Sequence, residues 1–212
     1  FIAGNNAADF PVRINGDRNS LKCYIKPSPY RQTIYNYIET HPDNILSAPR
    51  LLTGELYVYD MYGTGSYYDV VMAPWIEGIT LETEISRACR DQDVQRIREL
   101  SVLFDAFAAE LLTREWAHGD IKPDNIIVTP DDRLVRIDCD ALFAPPLDGS
   151  RAHGTGTPQF QHPSRESGCF GKFIDDYSVA LISVSLRALS RDTSLYERYN
   201  NGDNIIMYPW EI

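Results

Sequence analysis

The sequence predicts an α+β chain with a strand-rich first third and a mainly helical remainder. Two observations carry this. Residues 10–73 hold pairs of short apolar, β-branched or aromatic runs separated by Gly-containing turns, the pattern of antiparallel hairpins. From Asp93 onward, apolar residues recur at three- and four-residue spacing, the pattern of amphipathic helices. The character changes over residues 74–78, which divides the chain into residues 1–77 and residues 78–212.

The elements follow in order. FPVRIN (10–15), a turn GDRNS (16–20) and LKCYIK (21–26) read as a hairpin. Residues 29–39 carry Tyr30, Ile34 and Ile38 at four-residue spacing and read as a short helix. ELYVYDM (55–61), YGTGS (62–66) and YYDVVMA (67–73) form a second hairpin. Thr80 is placed to cap a short helix whose first turn holds Glu82 and Glu84, where the helix dipole favours negative charge. Residues 93–115 form a long helix with one apolar stripe: Ile97, Leu100, Leu103, Phe104, Phe107, Ala108, Leu111 and Leu112. Residues 126–138 make a small hairpin turned by Pro130, Asp131 and Asp132. A polar, Gly-containing segment (148–171) precedes another apolar helix, from near Asp175 to Leu189.

With 212 residues, 43% of them hydrophobic, the chain can bury one large core or two small ones. Its net charge of -10 argues against a nucleic-acid partner, which calls for a basic footprint, and against an anionic membrane surface. No run approaches the roughly 18 apolar residues of a membrane span. Four cysteines (Cys23, Cys89, Cys139, Cys169) are widely spaced with no C-x-x-C pair. That fits a reducing, cytoplasmic setting, in which Cys23 and Cys139, in strand-like hydrophobic runs, serve as small apolar residues. The chain opens on Phe1-Ile2-Ala3 without a secretory leader pattern, as a segment from within a longer protein would.

The chemistry is concentrated in HGDIKPDNIIV, residues 118–128. In-line phosphoryl transfer needs a carboxylate to accept the hydroxyl proton, a cation for the moving phosphate, and oxygen ligands for a divalent metal. Asp120, Lys122 and Asn125 are residues of those three kinds within one loop. The turn at Pro130 folds the chain back so that Asp138 returns beside Asn125 as a second metal ligand.

This loop resembles the catalytic loop of the eukaryotic-type Ser/Thr protein kinases, H-x-D-x-K-x-x-N followed by a strand and D-F-G. DCD (138–140) stands where D-F-G would, 13 residues after Asn125. GTPQFQHPS (156–164) resembles the G-T-P-x-Y-x-A-P-E segment, DDYSVA (175–180) resembles D-x-W-S-x-G, and DVVMAPWIEG (69–78) resembles the strand and hinge that meet adenine. The matches span nearly the whole chain in the family's order.

The resemblance implies a two-lobed protein-kinase-like fold, with a small antiparallel β N-lobe and a mainly helical, truncated C-lobe. It implies transfer of the γ-phosphate of ATP, with Mg2+ or Mn2+, to a protein hydroxyl. By the same resemblance Asp120 is the base and Lys122 the phosphate-contacting cation. Asn125 and Asp138 hold the metal, and Lys26 holds the α- and β-phosphates. Ala73 and Trp75 offer hinge backbone groups to adenine behind Met72 as gatekeeper, Ile127 packs beneath it, and Asp175 braces the loop. The compact form resembles bacterial members. The implied partners are a nucleotide and a protein substrate or binding partner.

Several positions depart from the family pattern. The Gly-rich loop falls on GNNAAD (4–9), which keeps only its first glycine. Tyr24 stands where a small alanine lines the adenine pocket, and no glutamate occupies the helix position that would pair with Lys26, which falls on Arg31 or Gln32. Gly119 replaces the arginine before the base, Ser164 replaces a structural glutamate, and Asp140 replaces a glycine. These keep two further readings open, a pseudokinase that acts as a binding or scaffolding module and a kinase of small molecules.

Overall fold

The computed structural model describes residues 2–3, 7–43, 46–59 and 61–209. It shows a mixed α+β protein that divides into two compact units, Phe1–Ile76 and Glu77–Ile212. Among the described residues no helix is long and apolar enough to cross a membrane.

The first unit is a five-stranded antiparallel sheet with one helix. Strands β1 (Ile2–Ala3), β2 (Ala7–Ile14), β3 (Asp17–Tyr24), β4 (Arg50–Tyr59) and β5 (Gly65–Pro74) lie in the order β1-β2-β3-β5-β4. The first hairpin turns at Asn15-Gly16, with φ of 52° and 96° and Ile14 opposite Asp17. Two consecutive positive φ values are what a two-residue hairpin needs to match strand twist, and Asn-Gly is the pair that accepts them. The expected five-residue turn at 16–20 is therefore corrected: those residues belong mostly to β3, and β3 ends at Tyr24 rather than Lys26. Helix α1 (Arg31–Thr40) buries Ile34, Tyr35 and Ile38. In the second hairpin the register shifts between Leu52 and Leu56. There Gly54, at φ +64°, donates its N–H to the Asp69 carboxylate at 3.1 Å.

The second unit is built on helices α2 (Leu81–Arg90), α3 (Val94–Leu111), α4 (Asp176–Leu189) and α5 (Ser194–Tyr199), with a three-stranded antiparallel sheet of β6 (Ile79–Thr80), β7 (Ile126–Val128) and β8 (Leu134–Arg136). The Thr80 hydroxyl accepts from Thr83 N at 3.1 Å and the Asp93 carboxylate from Arg96 N at 2.9 Å, so both helices start on a side-chain cap. Helix α3 stops at Leu111, four residues short of the sequence estimate, and Leu112 is exposed. The rest of its stripe faces a core with Leu81, Ile85, Ile121, Leu142, Ile182 and Leu186, all fully buried. The β7–β8 turn is closed by Asp131, whose carboxyl is held down to about 2, first by the Thr129 hydroxyl and then by Arg133. Cys89 is buried, which pushes its thiol up to about 11 and keeps it protonated as an apolar residue.

One buried acid organises the packing of this unit. Glu84, 2% exposed, bonds Arg87 on its own helix and Arg96 at the start of α3. Arg96 reaches on to Asp132 in the β7–β8 turn at 2.8 Å. Replacing Glu84 by alanine leaves Arg96, whose side chain is 19% exposed, without its buried partner, while Arg87 stays in reach of water. The expected loss of stability is about 3 kcal/mol, read as a lower urea midpoint at unchanged slope. A loss under about 1 kcal/mol would mean that solvent satisfies the arginines as it does at exposed pairs.

Candidate functional site

Ile121 and Pro123 are buried, and their burial pins the loop between α3 and β7. The turn Pro123–Asn125 leads directly into β7. Between these anchors Lys122 is half-buried, and Asn125, which follows them, is buried.

Asp120 is half-buried and held from two sides. Its Oδ1 accepts the Thr157 N–H at 2.6 Å, and its Oδ2 accepts the Asn125 side-chain amide at 3.2 Å. Asn125 also bonds the Asp120 carbonyl at 2.9 Å. Committing the amide nitrogen to Asp120 turns the Asn125 amide oxygen in another direction. A carboxylate has about four lone-pair sites, so Asp120 can still accept a proton from a third group. Lys122 is half-buried, and among the described residues its ammonium makes no ion pair.

The β7–β8 hairpin brings the second acid back as the sequence predicts. Ile137 N donates to Asn125 O at 3.0 Å, and Asp138 follows directly. Asp138 is exposed and sits at φ +62°, a left-handed conformation uncommon for a residue with a side chain. Asn125 and Asp138 offer hard oxygen donors, the kind Mg2+ prefers. Among the described residues no group of three or more His, Cys, Asp or Glu side chains gathers as a self-sufficient metal site.

Asp175 fixes the backbone on which all this stands. It is 1% exposed, and its two oxygens accept His118 N at 2.5 Å and Gly119 N at 2.8 Å. The His118 ring is fully buried and bonds the Ile137 carbonyl through Nε2 at 2.8 Å, so it is a packed core residue. Gly119 lies at φ +83°, and a Cβ there would fall 2.1 Å from the Ala141 carbonyl oxygen. A side chain at this position would therefore need the backbone to shift.

The first unit departs from the expected site. Lys26 is exposed, two residues past the end of β3, and among the described residues its ammonium pairs with no acid. Lys22 is the lysine on β3 itself, half-buried, opposite Asp9 and Val71, with its Nζ 5.8 Å from the Tyr24 ring centroid. Tyr24 does not project as an obstructing phenol. Its ring lies 3.5 Å beneath the Arg31 guanidinium and its hydroxyl bonds the buried Tyr35 hydroxyl at 2.9 Å. Arg31 also donates to the Lys26 carbonyl at 2.7 Å. Ala73 is buried in β5 opposite Ser20, Met72 is half-buried opposite Leu21, and Trp75 N donates to Arg18 O at 3.1 Å. The Trp75 N–H is thus taken up by the sheet. Gly4, Asn5 and Asn6 of the expected Gly-rich loop lie outside the described residues; Ala7, Ala8 and Asp9 belong to β2. Ile127, in the second unit, is half-buried on β7.

Asp175→Ala leaves two buried backbone donors without acceptors. The expected cost is about 3 kcal/mol, measured by urea unfolding, with Asp175→Asn intermediate because its one oxygen still accepts. The chain matches no protein-family model and no curated protein.

Proposed function

We propose that the protein is a Mg2+- and ATP-dependent phosphotransferase of the Ser/Thr protein-kinase type, with a two-lobed kinase-like fold and a protein hydroxyl as acceptor. The observation that carries this reading is Asp120, a half-buried carboxylate gripped by Thr157 N–H and Asn125 on a loop whose backbone Asp175 fixes. A group held in that way is oriented before its substrate arrives, which is what a general base needs. Asp120 accepts the acceptor hydroxyl's proton, and Lys122 neutralises charge on the transferring phosphoryl group. Asn125 and Asp138 would hold Mg2+, which neutralises charge on the phosphates when bound. The acidic chain, without a basic footprint, suits a cytoplasmic enzyme acting on proteins rather than on nucleic acid.

In the first unit the phosphate cation is assigned to Lys22 in place of Lys26. Lys22 stands on the central strand, on the same face as Tyr24, whereas Lys26 is exposed beyond the strand's end. A second reading, a pseudokinase that binds or scaffolds without turnover, is favoured by one observation. The strand residue that meets the helix is Tyr24 and its partner is Arg31, so a cation–π stack stands in place of a lysine–glutamate pair.

Asp120→Asn keeps an acceptor for Thr157 N–H but loses the base. It is expected to lower phosphate transfer from ATP by about 100-fold or more while the melting temperature holds. Transfer unchanged in this variant would sink the assignment of the base. Nucleotide binding is tested separately by thermal melts. Saturating Mg-ATP is expected to raise the melting temperature by about 5 °C. Lys22→Ala should weaken that binding about tenfold or more, and Lys26→Ala should change it less than about twofold. No shift at millimolar nucleotide would favour the binding module.

A further inference from the structure

Residues 156–165 are joined to the catalytic loop by a second set of contacts, separate from the Thr157 bond. Arg165 donates through Nη1 to the Gly119 carbonyl at 3.1 Å and to the Gln161 side-chain oxygen. Gln161 is 4% exposed. Gly119 is therefore held on both flanking peptides, its N–H by Asp175 and its carbonyl by Arg165. Those two bonds set φ and ψ of the residue from which Asp120 departs. Glycine is the residue least able to set them alone, since it has no side chain to limit its backbone.

The same neighbourhood is drawn tight at Gly156, which lies at φ +75°. A Cβ on Gly156 would lie 2.7 Å from the Gly119 carbonyl oxygen, 2.7 Å from the Gln161 amide nitrogen and 2.9 Å from Asp120 Oδ1. The Gln161 amide and the Asp120 carboxylate thus both border one glycine, and among the described residues the Gln161 amide nitrogen makes no hydrogen bond. Burial lowers the basicity of Arg165, and the carboxylates of Asp175 and Asp120 oppose that shift. Arg165 thus lies within reach of the charge of Asp175, before α4, and of Asp120 on the loop.

We propose that Arg165, aligned by Gln161, is a positioning residue for Asp120. It fixes the Gly119–Asp120 peptide through its bond to the Gly119 carbonyl. The proposal rests on Asp120 as the base, and its test is chosen to separate the two ideas.

The experiment is amide hydrogen exchange and steady-state transfer on the full chain for wild type, Arg165→Met and Arg165→Lys. In Arg165→Met the amides of His118 and Gly119 are expected to exchange about tenfold faster, while α3 keeps its protection. kcat should fall about tenfold with KM for ATP within about twofold. Arg165→Lys, which keeps a cation and a donor, should recover part of both losses. Exchange at His118 and Gly119 unchanged in folded Arg165→Met would overturn the proposal, as would a lysine variant no better than methionine. Should Arg165→Met fail to fold, Gln161→Leu is read by the same two criteria. If exchange responds as expected but wild type transfers no phosphate, positioning by Arg165 stands and Asp120 as base does not.

Discussion

The loop that carries Asp120 depends on one carboxylate placed where water cannot reach it. A buried acid is tolerated only when its oxygens are fully used, and Asp175 uses both on successive backbone N–H groups, those of His118 and Gly119. It stands at the N-terminus of α4 but gives that helix no side-chain cap. Its bonding is spent instead on a loop 56 and 57 residues earlier in the chain. Since α4 carries some of the most buried side chains of the protein, among them Ile182 and Leu186, the loop inherits the rigidity of the core. From there the geometry spreads outward. The His118 ring ties to the end of β8, Gly119 takes its left-handed turn, and Asp120 meets Asn125 and Thr157.

A chain with ten excess negative charges uses acids as internal anchors and answers each with cations or backbone donors. Glu84 is answered by Arg87 and Arg96, Asp175 by two amides, and Asp120 by an amide, a side-chain donor and the field of Arg165. Where an arginine is buried deepest, the surroundings are aromatic. Arg136, on β8, is fully buried with its guanidinium 4.1 Å from the Trp116 ring centroid and 5.5 Å from that of Phe107. Stacking lets a weakly hydrated, planar cation replace part of its lost solvation with ring faces. The strand that leads to Asp138 therefore ends on a fixed residue.

Much of the second unit was legible in the sequence because its determinants are local. Thr80 and Asp93 cap the helices they precede, the stripe from Ile97 to Leu111 repeats at helical spacing, and Asp120, Lys122 and Asn125 lie within six residues. The return of Asp138 beside Asn125 needed only a short turn. The first unit was less legible for an identifiable reason. Asn15-Gly16 is the strongest short hairpin signal in the region, and reading the turn three residues too long carried the strand on to Lys26. The Arg165–Gly119 bond spans 46 residues and the Tyr24–Arg31 stack joins a strand to a helix, so neither leaves a periodic trace.

That stack has a mechanical consequence for the first unit. The start of α1 is attached to β3 and its neighbours at three points through Arg31. The guanidinium covers the Tyr24 ring, donates to the Lys26 carbonyl, and lies 3.7 Å from the Asp69 carboxylate. A lysine–glutamate pair is a single Coulombic contact that water and salt weaken. Arg31 is 9% exposed, and withdrawing it would uncover a buried ring and break two polar contacts together. Helix α1 is therefore a fixed part of the sheet's packing. Lys22, half-buried on β3, shares the strand face of Tyr24 beside this packing, whereas Lys26 lies exposed beyond the strand's end.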